Sequence, residues 1–288
     1  MEPDSTRIPA PSFKAEEAMH IVYTACGDHA KDDVLMSLKT LWLFASLSQT
    51  RGKRYYHIHV LTDGAMAPND LAFLRPSSHY QASVHSLFPS SVNLFRPCSS
   101  ERLYMHQHAD FQHLDKVLYL DGDSLWLDDP LELWKHFEAM QRSDAVWGLV
   151  EEAAAGRNWY TEDAKHPYYG ERGLNAGVLL ANLARMRNST FSAERDDIIA
   201  TWGAQGALPW GDQDVLNVYL NRHNDQAYVL SCKFNVRTDS ACSDIAPVIY
   251  HGSRSLKDQQ DHQYSRLYAF FSMVKSAELK LSGRPRPA

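Results

Sequence analysis

The stretch Leu118-Tyr119-Leu120-Asp121-Gly122-Asp123 runs from three apolar residues into two carboxylates that a single glycine separates. It predicts a buried strand that ends in a site for a divalent cation. Residues i and i+2 of an extended chain point the same way, so Asp121 and Asp123 can face one ion. Mg²⁺ and Mn²⁺ prefer oxygen ligands, and Gly122 leaves room for a phosphate near the backbone. Asp-Gly-Asp is also ordinary turn chemistry, so the triplet alone leaves a simple turn open.

Predicted strands and helices alternate on both sides of this stretch. Strands are expected at 20–24, 57–62, 81–87, 116–120, 145–150, 174–180, 228–230 and 248–250. Helices are expected at 32–46, 68–74, 100–110, 130–137, 193–204, 210–220 and 257–274. This alternation predicts an α/β fold with a mostly parallel sheet and helices on both faces. Ligands bind at the carboxyl ends of strands in such sheets, which is where Asp-Gly-Asp lies.

The composition is that of a globular protein, with 288 residues, 44% of them hydrophobic and 22% charged. A net charge of −6 without a Lys/Arg-rich run argues against duplex nucleic acid as a partner. The first 18 residues contain no apolar segment typical of a signal peptide, and no run approaches the ~20 apolar residues of a membrane span. No membrane anchor is therefore expected within this chain.

The cysteines and one sequon bear on the compartment. None of the four cysteines has the C-x-x-C spacing of zinc ribbons or thioredoxin-like motifs. Cys232 and Cys242 flank a short polar loop and are candidates to pair, which would indicate an oxidising compartment. Asn188-Ser189-Thr190 is a sequon that would be glycosylated in a luminal protein. These features favour the lumen, although this chain contains no targeting segment.

His251 lies in a pattern like that of Asp121, because it follows the apolar residues Val248-Ile249-Tyr250 and precedes Gly252. An imidazole beside two carboxylates suits Mn²⁺ better than Mg²⁺, which prefers an all-oxygen shell. His251 is therefore the predicted third metal ligand. A capping or core histidine is the alternative.

Two arginines are candidates to bind a diphosphate. Arg254 follows His251 by three residues, and Arg102 lies in the predicted helix before the Asp-Gly-Asp strand. A guanidinium offers paired donors that match phosphate oxygens. A solvated surface arginine is the alternative for each.

Polar side chains at other strand ends are candidates for the nucleoside and the sugar. Asp28 can accept a hydrogen bond from a base or sugar, or serve as a turn residue. The Asn175 amide can donate to and accept from sugar hydroxyls, and Gly177 allows close backbone approach. Asp212-Gln213-Asp214 would place two acids and an amide in one pocket. Helix capping explains one acid, but not the glutamine.

Other chemistries lack their motifs. The sequence contains no G-x-x-x-x-G-K-[ST] and no G-x-G-x-x-G, so neither a P-loop nor a dinucleotide site is indicated. It contains no G-x-S-x-G and no H-E-x-x-H. A glycoside hydrolase would use two carboxylates and stays open, although it would not need the histidine.

Several stretches, in order along the chain, resemble the motifs of the family-eight retaining glycosyltransferases: 21–28, 118–123, 174–182, 210–217 and 250–252. The glucoside xylosyltransferase branch of that family is resembled more closely by 96–103, 166–170, 210–214 and 251–254. The similarity runs from about His20 to Phe271. It implies the type-A glycosyltransferase fold, a Rossmann-like nucleotide-sugar-binding fold in one domain with a mixed, mainly parallel sheet. The catalytic domain would span 19–275, after a disordered lead-in at 1–18 and before a polar tail at 276–288.

The resemblance also implies a reaction. Xylose would move from UDP-xylose, with Mn²⁺, to O-linked glucose on epidermal-growth-factor-like repeats through an α1,3 linkage, in the Golgi or endoplasmic reticulum lumen. The acceptor hydroxyl would attack from the face that UDP leaves, or a double displacement would run through Asp212. A family-eight transferase that uses UDP-glucose or UDP-galactose is one alternative. A non-catalytic sugar-nucleotide-binding protein of the same fold is another.

The resemblance assigns roles to residues of this chain. Many family members have a lysine after the His-Gly segment, where Arg254 is the nearest cation here. Metal ligands would be Asp121, Asp123 and His251. Residues near the uracil would be Tyr23, Ala25, Cys26 and Asp28. The diphosphate or donor sugar would be lined by Arg102, Asp121, Gly122, Asn175, Gly177, Gly252 and Arg254. Catalytic residues near the anomeric carbon would be Asp212 and Gln213.

Overall fold

The computed structural model describes residues 18–47, 54–74, 79–89, 92, 94–96, 98–243, 245–253, 256–259 and 261–274. Arg254 lies outside the described residues, as do residues 1–17 of the predicted lead-in and the whole predicted tail. The boundaries of the catalytic domain therefore stay a prediction.

Nine strands form two sheets in the described residues. They are β1 (Ala18–Ala25), β2 (Tyr55–Thr62), β3 (Tyr80–Ser86), β4 (Lys116–Leu120), β5 (Ser124–Trp126), β6 (Trp147–Glu151), β7 (Leu174–Asn182), β8 (Ala227–Leu230) and β9 (Ile249–His251). Seven form one sheet in the order β3-β2-β1-β4-β7-β6-β8, and β5 pairs with β9. In the large sheet only β7 runs antiparallel to its two neighbours. The predicted mixed, mainly parallel sheet is confirmed.

The helices differ from the prediction at several ends. They are α1 (Gly27–Leu47), α2 (Leu131–Trp134), α3 (His136–Gln141), α4 (Trp159–Asp163), α5 (Leu183–Asn188), α6 (Phe191–Ile198), α7 (Asp212–Arg222) and α8 (Gln263–Met273). The start predicted for α1 at residue 32 was wrong, because Asp28 already lies in its first turn. The helix predicted at 100–110 is three short 3-10 turns, and 68–74 is also 3-10. No helix among the described residues is both long and apolar enough to cross a membrane.

Both faces of the large sheet are buried, as expected of parallel strands. Ile21 of β1 packs with Leu38 and Leu41 of α1 on one face, while Val22 packs with Phe111 on the other. This alternation follows from the period of two in a strand, and the apolar spacing of α1 gives that helix one buried face. The two cores fix the strand ends at which the candidate site is built.

The small β5–β9 ribbon was not predicted, and it brings distant parts of the chain together. β5 begins directly after Asp123, and Ser124 pairs with His251. The amide of Gly252 donates to the carbonyl of Asp123 at 2.7 Å. The ribbon therefore places His251 beside the Asp-Gly-Asp turn.

Candidate active site

Asp121, Asp123 and His251 form one cluster at the carboxyl end of β4. One ligand atom from each lies within 4.8 Å of the others. The Nε2 atom of His251 lies 3.2 Å from Asp123 Oδ1 and 3.7 Å from Asp121 Oδ2. Both aspartates are partly exposed, whereas His251 is buried. All three line one cleft, which is the candidate active site.

The imidazole of His251 is oriented by its neighbours. Its Nδ1 lies 2.9 Å from Asn235 Oδ1, and because an amide oxygen only accepts, Nδ1 holds the proton. Nε2 then faces the carboxylates. A Cβ on Gly177 would lie 2.1 Å from the imidazole Cε1, so only glycine leaves space for this ring.

The donor set fits a divalent cation. Two carboxylates supply oxygen ligands and charge, and a buried imidazole with Nδ1 already bonded supplies one nitrogen. Mn²⁺ accepts this combination more readily than Mg²⁺ does. Asp121, Asp123 and His251 are the residues that would hold the ion.

Arg102 is a buried cation, 4% exposed, that joins the metal cluster to the helix α7. Its Nη2 donates to Asp121 Oδ1 at 2.7 Å and its Nε lies 2.8 Å from Asp212 Oδ2. Nη1 donates to the carbonyl of Ala176, and the guanidinium lies over the Tyr119 ring. Burial lowers the pKa of Arg102, but Asp121 and Asp212 outweigh it, and the net shift is upward. Arg102 lines the cleft, yet its donors already serve protein partners, so it orients Asp121.

Asp212 is the single acid of Asp212-Gln213-Asp214 that lines the cleft. Burial raises its pKa to about 6, against the opposing effects of Arg102 and a hydrogen bond from Ser99. The prediction that both acids share the pocket was wrong for Asp214, which is fully buried. Its Oδ1 accepts from Tyr160 at 3.0 Å and its Oδ2 from the amide of Trp210 at 2.7 Å.

Gln213 and Asn175 form a fixed amide pair at the cleft floor. Gln213 Oε1 accepts from Asn175 Nδ2 at 2.9 Å and from the amide of Ala176 at 3.1 Å. Asn175 Nδ2 also donates to Glu152 at 2.9 Å, and its Oδ1 accepts from Asn235 at 2.7 Å. This network connects the predicted sugar-binding residues to the residue that orients His251.

The residues predicted near the uracil divide into two groups. Cys26 lines the cleft. The side chains of Tyr23 and Ala25 are buried in the core, where the Tyr23 hydroxyl accepts from Ser37. Asp28 is exposed on the first turn of α1, outside the cleft lining. A nucleoside role for these residues stays a prediction, and for Tyr23 and Ala25 it rests on backbone groups.

Gly122 and Gly252 have packing reasons that the sequence did not reveal. A Cβ on Gly122 would lie 2.7 Å from Val34 Cγ2, so this glycine lets the turn approach α1 while lining the cleft. Gly252 lies against the ring of Tyr264, whose hydroxyl donates to the carbonyl of Asp123 at 2.6 Å. It is outside the cleft lining, and its predicted role would use the backbone.

Sequence reasoning missed several cleft residues. Arg237, 3% exposed, donates to the carbonyl of Glu152 and lies 3.5 Å from Asp239. All three line the cleft, as do Phe95 and Trp210, whose rings meet edge to face at 5.6 Å. Arg237, Glu152, Asp239 and Phe95 lie in no motif that their sequence neighbours reveal. Only Trp210 does, because it begins the Trp-Gly-Asp-Gln-Asp stretch.

Two disulfides brace the site. The predicted pair Cys232–Cys242 is confirmed. Cys26–Cys98 was not predicted, because its partners are separated by 72 residues. It ties the start of α1 to the segment that contains Arg102, so both walls of the cleft are covalently joined.

Comparison with solved structures gives the fold. The galactosyltransferase LgtC in complex with donor and acceptor sugar analogs matches with a TM-score of 0.64 at 20% identity, over 89% of this chain and 98% of that one. Apo mouse xyloside xylosyltransferase 1 matches with a TM-score of 0.60 at 20% identity, over 83% of this chain and 98% of that one. The fold is the type-A glycosyltransferase fold.

Curated proteins give closer relatives. Glucoside xylosyltransferase 2 of Mus musculus is 28% identical over 286 residues, which cover 89% of this chain and 62% of the relative. Glucoside xylosyltransferase 1 of Homo sapiens is 29% identical over 269 residues, which cover 83% of this chain and 58% of the relative. The chain thus spans about three fifths of the length of these relatives.

The family model for glycosyl transferase family 8 matches residues 21–266. The match includes β1, the Asp-Gly-Asp turn, the Asn175–Gly177 strand, the start of α7 and the His251 segment. The matched region covers most of the chain, and it includes all the predicted cleft residues that the structure describes. The chain therefore belongs to glycosyl transferase family 8.

Proposed function

We propose that this protein is a retaining glycosyltransferase that moves xylose from UDP-xylose to an O-linked glucose acceptor. The observation that carries the proposal is the cluster of Asp121, Asp123 and His251 in the cleft of a family-8 chain. The names of the similar curated relatives, glucoside xylosyltransferases, support xylose and glucose as the two sugars.

The donor diphosphate would lie over the metal cluster. Asp121, Asp123 and His251 would hold Mn²⁺, which when bound supplies positive charge against the diphosphate of the leaving UDP. Arg102 holds Asp121 Oδ1, so Oδ2 stays turned toward His251. Asn235 holds the His251 proton on Nδ1. The ligand side chains are therefore already in position before the donor arrives, and they need little rearrangement during the reaction.

The cleft carboxylates beside Gln213 are already engaged with protein groups. Glu152 Oε2 accepts from Gln213 Nε2 at 3.2 Å and from Asn175 Nδ2 at 2.9 Å. Asp212 is ion-paired with Arg102 at 2.8 Å, and Gln213 is held by Asn175 and Ala176. A front-face attack, in which the acceptor hydroxyl approaches from the side that UDP leaves, needs no enzyme nucleophile. Gln213 and Asp212 would then position the sugar, and the double displacement through Asp212 is the rival route.

The finer parts of the proposal concern the acceptor and the compartment. The acceptor would be glucose on epidermal-growth-factor-like repeats, extended through an α1,3 linkage, and the site of action would be the Golgi or endoplasmic reticulum lumen. Two disulfides support an oxidising compartment. The sequon residue Asn188 is exposed at the end of α5, as a glycosylated asparagine would be.

UDP release across UDP-xylose, UDP-glucose and UDP-galactose, with and without Mn²⁺ and with a β-glucoside acceptor, tests the proposal. We expect turnover that requires Mn²⁺ and prefers UDP-xylose at least tenfold. A preference for UDP-glucose or UDP-galactose would instead identify the protein as a hexosyltransferase of the same family. Donor binding without release or transfer for any of the three would support the non-catalytic alternative.

A further inference from the structure

A second cluster of metal-ligand side chains lies on the large sheet, away from the cleft. It consists of His20 on β1 and of His57 and His59 on β2, and His20 pairs in register with His57. Strands covered on both faces are normally apolar. Here His20 and His59 are buried, 5% and 1% exposed, and His57 is half-buried. A row of imidazoles inside the sheet needs a chemical reason.

The rings are close enough to share one ion. One nitrogen from each of the three lies within 4.8 Å of the others. His20 Nδ1 lies 3.0 Å from His59 Nε2, and the rings of His57 and His59 stack with centroids 3.9 Å apart. Two nitrogens on a tetrahedral Zn²⁺ lie roughly 3.3 Å apart, given Zn–N bonds of about 2.0–2.1 Å. The 3.0 Å between His20 Nδ1 and His59 Nε2 is close to that spacing. His57 Nε2 lies 2.9 Å from Ser83 Oγ, so His57 would ligate through Nδ1.

A chain of hydrogen bonds sets the proton positions. Asp110 Oδ2 lies 2.7 Å from His85 Nδ1, and because the carboxylate accepts, His85 donates from Nδ1. A neutral His85 then accepts at Nε2 from His59 Nδ1, at 3.1 Å. His59 is left with a lone pair on Nε2, directed at His20. A metal-bound histidine usually has its second nitrogen bonded in this way to a carboxylate or another acceptor.

We propose that His20, His57 and His59 bind one imidazole-preferring divalent cation of the Zn²⁺ class, in a structural site that joins β1 to β2. The ion takes the place of the proton between His20 Nδ1 and His59 Nε2, and His20 moves its proton to Nε2, so its charge is unchanged. A water completes the four ligands. Three nitrogens without a carboxylate favour Zn²⁺ over Mn²⁺ and Mg²⁺.

The site is separate from the cleft. His20 precedes Ala25, the last residue of β1, by five positions, and strands rise ~3.3 Å per residue, so about 16 Å separate it from the strand end. The inference stands on the histidine cluster alone and does not depend on the proposed transferase activity.

The test is Zn²⁺ binding by the chelator-treated chain without a polyhistidine tag. An Asp121→Asn, Asp123→Asn background disables the cleft cluster, so that the zinc counted belongs to the histidines. We expect one Zn²⁺ per chain by metal analysis after dialysis, a rise in melting temperature with Zn²⁺ and none with Mn²⁺. Co²⁺ in the same site is expected to give the intense visible absorption of four-coordinate cobalt.

Variants locate the site. His57→Gln, at the half-buried position, is expected to weaken Zn²⁺ binding at least tenfold and to remove the thermal shift, and His20→Gln is expected to do the same. The matched control is His136→Gln, a single half-buried histidine bonded to Tyr228, which should bind as the background does. Zinc binding unchanged by His57→Gln and His20→Gln, or no zinc retained at all, would overturn the proposal.

Discussion

The Asp121, Asp123 and His251 cluster and the His20, His57 and His59 cluster occupy opposite settings relative to the large sheet. The first follows a strand end, is partly exposed and combines two acids with one imidazole. The second lies within the strands, is largely buried and contains only imidazoles. Open strand ends admit a substrate, whereas strand interiors admit at most a small ion. The position of a cluster in the sheet, as much as its ligand types, therefore decides whether it can bind a substrate or only an ion.

The supporting residues differ in the same way. His251 is oriented by the neutral amide of Asn235, and Asp121 by the buried cation Arg102. His59 is oriented by His85, which leads to the exposed carboxylate of Asp110. The cleft cluster therefore combines two carboxylates with a neighbouring buried cation, beside space that a phosphate can enter. The histidine cluster contains neutral imidazoles alone. Each difference can be tested by changing one residue.

The largest expected effect comes from the cleft acids. Asp123→Asn keeps the shape of the side chain but removes a charged ligand, so we expect transfer or UDP release to fall at least 100-fold. Asp121→Asn is expected to act similarly and also to leave Arg102 with one fewer carboxylate. Turnover at saturating UDP-sugar and Mn²⁺ measures the effect, and circular dichroism checks the fold.

Asp144→Asn, an exposed acid before β6, is the matched control and should keep parental turnover. Parental turnover in Asp123→Asn would remove the cleft cluster from the reaction and erase the functional contrast between the two clusters.

A smaller effect is expected at Asn235. Asn235→Ala removes the acceptor that holds the His251 proton on Nδ1, so the ring can rotate or change tautomer. Losing such a partner typically weakens metal binding by 10–100-fold. Mn²⁺ affinity, titrated by electron paramagnetic resonance in the absence of donor, measures it. Asn221→Ala, an amide on α7 that donates to Tyr168, is the control. Equal Mn²⁺ affinity in both variants would mean that packing alone orients His251.

The sequence predicted the parts of the site that lie at strand ends. Asp121 and Asp123 follow the apolar run of β4, and the carboxyl ends of parallel strands are where such sheets bind ligands. The apolar pattern therefore sufficed to place the two acids. It marked His251 as a candidate ligand, but His251 reaches the acids through β9, which pairs antiparallel with β5 outside the large sheet. The histidine cluster was not predicted, because His20, His57 and His59 lie on two strands whose register only the folded sheet reveals.

Other features were beyond the sequence for a similar reason. The β5–β9 ribbon has three residues in each strand, too few for periodicity to reveal. Arg237 and Glu152 meet only after β6 and the segment that follows β8 have packed. Asp214 looked like a second cleft acid because a helix start exposes neighbouring positions, but the turn of α7 directs it toward Tyr160. Long-range packing decided each case.

The smallest expected effect is on acid stability, and it separates the clusters by pH. Burial, together with the nearby His20, His85 and His113, lowers the pKa of His57 to about 4. At His57 the unfolded chain therefore binds more protons than the folded chain between about pH 6.5 and 4, and the contribution of this residue to the free energy of unfolding falls as the pH drops through that range.

In the cleft, burial raises the pKa of Asp123, but His251 outweighs it and the net shift is downward. Stability from Asp123 is therefore present above its ordinary pKa and is lost only below pH 4 or so. Urea unfolding in chelator from pH 7 to 4 should show a shallower loss for His57→Gln than for the parent. His29→Gln, exposed on α1, should follow the parent. If the free energy of unfolding fell equally with pH in all three proteins, protonation of His57 would not destabilise the fold. Burial would then not distinguish the histidine cluster from the cleft cluster.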